Sequence, residues 1–191
     1  MNPSRPETQS QWHFIGPTSS FPDIESPDGA NLSQARACDV GGFKPGCKAF
    51  YVSTRNEDGA RGGGGGEGEK KKGLVEADLD EAGSPAANLK SQILVFKYKG
   101  KFHAVDHQCP HSSYPLSRGT LFDIEDFGVV LSAGLTCPKH DWSFDLFTGT
   151  GDRGNYKLRV WDVEVRRGGG GEEGEKEVEG VWVRRKKVRM G

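Results

Sequence analysis

The chain has 191 residues, 28 of them glycine, with 34% hydrophobic residues and a net charge of −1 at pH 7. That length suits one domain, the lean apolar content leaves part of the chain outside any core, and the near-neutral charge argues against nucleic acid or an anionic membrane as partner. No apolar run is long enough to span a bilayer.

The opening residues, MNPSRPETQSQWHF, lack the basic start and apolar core of a secretory signal. The expected location is therefore intracellular and cytoplasmic, where paired cysteines point to metal or redox chemistry before structural disulfides. Residues 1–11 read as a flexible N-terminus and 12–191 as a single domain. The first apolar cluster is WHFI at 12–15, and residues 47–53 (CKAFYVS) carry aromatic and β-branched side chains that read as a strand. Residues 55–90, which include GARGGGGGEGEKKKG, read as one long mobile insertion, because such a segment buries too little apolar surface to offset its ordering entropy. A helical turn or two is expected at 74–81. The run GGGGG lacks the Gly-Lys-Ser/Thr ending of a phosphate loop.

Order returns at Gln92. Residues 93–98 and 102–105 read as a hairpin around Lys99-Gly100-Lys101. Further strands are expected at 127–132, 142–147, 158–165 and 181–183, with a second mobile glycine-rich insertion at about 167–180. Many short strands, frequent turn signals and no long helical pattern predict an all-β domain, a small sandwich or barrel.

The chain has four cysteines and five histidines, and two of each form Cys/His pairs within two short stretches. HQCPHSSYP (107–115) places Cys109 two residues before His111. LTCPKHDW (135–142) places Cys137 three residues before His140. Two thiolates and two imidazoles on two loops make a four-ligand metal site. Structural zinc accepts these ligands. The mixed order, one cysteine and one histidine per loop, also suits a two-iron cluster in which one iron takes both cysteines and the other both histidines.

The two motifs together resemble the Rieske [2Fe-2S] signature, and the flanks PLSRG (115–119), GTLFDIED (119–126) and WSFDLFTG (142–149) strengthen the resemblance to small soluble Rieske-domain proteins. It implies a Rieske-like antiparallel β-sandwich or small barrel with two cluster-binding loops. It implies Cys109 and Cys137 as ligands of the inner iron, and His111 and His140 as ligands of the solvent-side iron. The implied role is a one-electron carrier serving a reductase or oxygenase partner, since the sequence shows neither a mononuclear-iron ligand set nor a nucleotide fingerprint. The readings from other classes are a zinc-stabilised structural or interaction module and a redox or iron sensor.

Two departures from the family pattern stand out. The gap from His111 to Cys137 is long, and the loop GDRGNY (151–156) lacks the family's proline. Tyr114 and Lys139 stand where cytochrome bc-type members have a second cysteine pair, so no disulfide joins the loops. Trp142 and Phe144 stand where those members place hydroxyl donors. Trp142 would then offer its indole N–H to sulfur in their place, and fewer donors imply a low potential. His107 reads as a solvated loop residue, His13 and His103 as structural. Cys38 and Cys47 carry no functional reading, and RRKK at 184–187 reads as a charged strand edge.

Overall fold

The computed structural model describes residues 11–27, 29, 31–38, 41–52, 74–80, 88–168 and 178–186. The N-terminal stretch and most of both glycine-rich insertions lie outside the described residues. The strands are β1 (His13–Pro17), β2 (Asp23–Ile24), β3 (Ala35–Ala37), β4 (Phe43–Pro45), β5 (Cys47–Tyr51), β6 (Val75–Ala77), β7 (Gln92–Tyr98), β8 (Lys101–Asp106), β9 (Thr120–Asp126), β10 (Val129–Cys137), β11 (Trp142–Asp145), β12 (Trp161–Gly168) and β13 (Val178–Arg185). No α-helix occurs among the described residues; only short 3-10 turns interrupt the strands. The all-β expectation therefore holds.

β7 organises the domain. It pairs antiparallel with β5 and β8 and briefly parallel with β2. Its side chains alternate between two cores, as a strand's two-residue period requires. Leu94, Phe96 and Tyr98 enter one core, together with Leu116, Leu135, Phe144, Leu158, Cys109 and Cys137. Ile93 and Val95 enter the other, with Ile15, Phe21, Trp161, Val181 and Val183. A strand buried on both faces reads as a continuous apolar run, which is why residues 93–96 (ILVF) are so plain in the sequence. One flank is the sheet β1-β13-β12, the other the sheet β11-β10-β9.

Three local expectations are corrected. Residues 75–77 form β6 against β5, with Ala49 opposite Ala77, where a helical turn was expected; cross-strand pairing overrides a weak local preference. Phe127 is not strand. With Gly128 it turns the β9–β10 hairpin at φ 47° and 78°, the left-handed pair that a tight hairpin needs. That hairpin takes up the long gap between the two motifs. Finally, β13 begins at Val178, inside the stretch expected as a mobile insertion; β1 flanks it only as far as Val183, so Arg184 and Arg185 pair with β12 alone and lie at an open edge.

Candidate metal centre

The two Cys/His loops leave β8 and β10, strands of different sheets, and repeat one backbone device. In the first, Gln108 bridges Pro115 and the Cys109 amide donates to the Tyr114 carbonyl at 2.9 Å. The Cys109 carbonyl accepts the Ser113 N–H at 2.9 Å. In the second, Cys137 ends β10, lies opposite Trp142 at the start of β11, and accepts the Asp141 N–H at 3.0 Å. Ser113 and Asp141 both have positive φ, 54° and 55°. Each loop thus closes a five-residue turn back onto its own cysteine and ends it with a left-handed residue. The consequence is two like-shaped loops facing each other.

These loops bring together the four residues predicted from sequence. Cys109 and Cys137 are buried, His111 is half-buried and His140 is exposed. The two cysteines share one buried cluster, and the two imidazole centroids are 5.1 Å apart. A hydrogen bond from the Cys137 thiol draws Cys109 down to about 5 against the opposing effect of burial. The same bond, with burial, holds the proton on Cys137.

The donors pair like with like, sulfur with sulfur and imidazole with imidazole. Nδ1 of His111 is buried without a hydrogen-bond partner among the described residues. A buried ring nitrogen without a partner is costly, and a metal bond is one way to satisfy it. The residues present fit a two-iron cluster held by two thiolates at its buried end and two imidazoles at its outer end.

Surrounding contacts show what the sequence hid. Trp142 lies flat on the His111 ring, 4.1 Å between centroids and 11° between planes. Tyr156 meets both rings edge-on, at 5.3 Å and 5.1 Å. Tyr156 comes from the proline-free loop, which is fixed by the Asp152 amide on the Ser143 carbonyl at 2.9 Å and by Arg153 donating to the Asp141 carbonyl. Aromatic stacking and an arginine strap thus do the shielding. Ser112 places a hydroxyl 3.7 Å from the Cys137 sulfur, a donor overlooked from sequence although it follows His111 directly.

The histidines outside the motifs differ. His107 is fully buried, correcting the solvated-loop expectation. Its Nδ1 meets Gln92 Oε1 at 2.7 Å and its Nε2 meets the Ser117 hydroxyl at 2.9 Å. Gln92 Oε1 only accepts, so Nδ1 carries the proton and Nε2 accepts from Ser117. The ring bolts the first loop to β7, and burial lowers its pKa to about 4, keeping it neutral. His103 is buried and stacks on Phe96 at 5.6 Å, as a structural residue does. All four cysteines are free thiols, and Cys38 donates to the Ser19 carbonyl at 3.0 Å.

Comparison with known proteins agrees with this geometry. Residues 74–159 match the family model of the Rieske [2Fe-2S] domain. The chain is 40% identical over 60 residues to a human Rieske domain-containing protein, covering 31% of this chain and 35% of that one. It is 37% identical over 78 residues to the ferredoxin component of the alkene monooxygenase system of Xanthobacter autotrophicus, covering 40% of this chain and 57% of that one. It is 35% identical over 72 residues to the ferredoxin subunit of 3-phenylpropionate/cinnamic acid dioxygenase of Photorhabdus laumondii, covering 38% of this chain and 61% of that one. The matched stretches thus span between about a third and three-fifths of these relatives.

Proposed function

The chain carries a Rieske-type [2Fe-2S] domain, and from that premise we propose that it is a one-electron carrier with Cys109, His111, Cys137 and His140 as its ligands. The observation that carries the reading is the convergence of those four side chains from two matched loops, with thiols inward and imidazoles outward. When bound, the cluster supplies a one-electron redox couple.

The chain's own residues set how that couple is used. Cys109 and Cys137 anchor the inner end where solvent is excluded. His140 is exposed and His111 half-covered, so the imidazole end is where a partner protein approaches. The partner class is a reductase or an oxygenase, as the relatives named as ferredoxin components support. Trp142, Tyr156 and Arg153 exclude water from one side of His111 and leave His140 open.

The potential is low within the Rieske range of about −150 to +300 mV. Phe144 carries no hydroxyl, and Trp142 spends its ring on His111. The Ser112 hydroxyl is a long contact at 3.7 Å. Backbone N–H groups of His111, Ser112 and Lys139 also donate to the sulfurs, but Ser112 supplies the one side-chain hydroxyl seen there among the described residues, and the scarcity of hydroxyl donors leaves the extra negative charge of the reduced centre less stabilised. A redox titration followed by low-temperature EPR tests this: the expected midpoint lies below about 0 mV, and one near the top of the range contradicts it. Among the described residues no helix is long and apolar enough to cross a membrane.

A further inference from the structure

We propose that the basic groove beside the first Cys/His loop docks an acidic face of a one-electron redox protein. This rests on the carrier reading and names the chemistry of the partner that reading requires.

The groove has a volume of about 1290 Å³ and is lined by the end of β8, the start of β12 and the end of β13. Asp106, the last residue of β8, stands three residues before Cys109, and Pro110, between Cys109 and His111, lines the groove itself. Whatever sits there lies against the loop that presents the half-buried His111, whose ring is 5.1 Å from that of His140. The lining carries six basic residues, Lys90, Lys157, Arg159, Arg184, Arg185 and Lys186, against two acidic ones, Asp106 and Asp162.

The acidic pair is already engaged. Arg184 meets Asp162 at 3.0 Å and Arg159 meets Asp106 at 3.9 Å. Trp161 also donates to Asp106 at 2.8 Å. Lys90 and Lys157 make no ion pair among the described residues, and both are exposed. Four positive charges are left in excess within one groove of a chain whose net charge is −1. The positive potential is therefore local, and it sits beside the redox loop. Arg184 and Arg185 pair with β12 alone, beyond the end of the β1 pairing, and Lys186 follows the strand, so all three are free to present their charge to the groove.

Small-ligand sites are concave, mostly apolar clefts of roughly 300–1,000 Å³. This groove is larger, open and rimmed by long cationic side chains, which suits a protein surface rather than an enclosed small molecule. Complementary charge acts chiefly on encounter rate and orientation, the two quantities that electron exchange between diffusing proteins requires.

The test uses the full chain with its cluster and a probe of the stated chemistry, a reduced acidic plant-type [2Fe-2S] ferredoxin. At about −400 mV it has ample driving force toward a Rieske centre. Stopped-flow bleaching gives the second-order rate constant at low and high salt. The expected result is a steep fall with salt for the natural chain, by about tenfold or more. Lys157→Glu with Lys186→Glu removes the excess of four charges and is expected to lower the low-salt rate about tenfold and flatten the salt dependence. Lys44→Glu with Arg167→Glu makes the same net change elsewhere and is expected to leave the rate within about twofold.

Photoreduced 5-deazariboflavin, a neutral donor, separates the failures. If it does not bleach the protein, the carrier reading fails. If it bleaches all variants equally while the ferredoxin rate ignores salt, or both double variants fall together, the docking proposal is overturned and the carrier reading stands. Saturable competition by pyrophosphate at constant ionic strength, with no rate loss in the groove variant, would make the groove a small-anion site and also overturn it.

Discussion

His107→Ala tests whether a buried histidine bolts the first Cys/His loop to the central strand. The ring is fully buried and joins Gln92 and Ser117, themselves only 2% and 1% exposed. Truncation leaves a buried amide oxygen and a buried hydroxyl without partners, at about 1–3 kcal/mol each. The space left by the ring adds a cavity contribution of about 1 kcal/mol. The total, roughly 3–7 kcal/mol, is a large fraction of the ~5–15 kcal/mol that holds a typical domain folded. The assay is guanidinium unfolding followed by far-ultraviolet circular dichroism and by visible absorbance of the cluster. The midpoint is expected to fall steeply, with colour lost at lower denaturant than secondary structure because the loop loosens first. His107→Asn keeps a donor near the Nδ1 position and is expected to recover about half the loss, since only the Ser117 contact is then missing. A loss under about 1 kcal/mol in the alanine variant would refute the reasoning, because two orphaned buried groups cannot cost so little.

Other consequences follow from the same structure. Gly149→Ala drives a Cβ into the Leu158 carbonyl oxygen at a φ of +75°, so backbone must move; a loss of about 3 kcal/mol or more is expected in the same unfolding assay. Burial, with Lys101 adding to it and Asp145 opposing, lowers His103 from 6.5 to about 4. The unfolded chain therefore binds a proton that the folded chain does not, and stability falls as pH drops from 6.5 toward 4. His103→Phe keeps the stacking on Phe96 and is expected to remove up to about 1.4 kcal/mol per pH unit of that slope, read from unfolding midpoints between about pH 7 and 5. Tyr156→Ala uncovers one side of His111 and is expected to speed bleaching in air severalfold while moving the unfolding midpoint little, because Tyr156 is itself exposed. Cys109→Ala or Cys137→Ala is expected to abolish visible absorbance in protein purified without oxygen, since neither remaining loop holds two thiolates.

What could be read from the chain depended on how far the deciding contacts lay along it. β7 was plain because it is buried on both faces and spells its burial as an unbroken apolar run. The four candidate ligands were plain because each pair is local, two or three residues apart, and the fold had only to bring two loops together. β9 was quoted only as a family flank. TLFDIED carries three acidic residues, and its strand exists because β10 pairs with it along seven positions. β6 was hidden for the same reason, since its partner β5 lies beyond a glycine-rich stretch. His107 looked like a loop residue because burial depends on Gln92 and Ser117, fifteen residues before it and ten after. The shield over His111 was illegible as well. No proline stands in residues 151–156; Trp142 stacks on the ring, Tyr156 meets its edge, and Arg153 lies over Trp142 and straps the loop to Asp141.

The central claim, a cluster held by two cysteines and two histidines, is tested most directly by low-temperature EPR of protein purified without oxygen and reduced with dithionite, with metal analysis and isotopic labelling of histidine nitrogen. The account predicts about two irons per chain and a rhombic signal with average g below the free-electron value. It also predicts couplings from two imidazole nitrogens, one of them lost in His140→Ala. Stoichiometric zinc with a silent spectrum, or a cluster signal whose nitrogen couplings ignore His111 and His140, would contradict it.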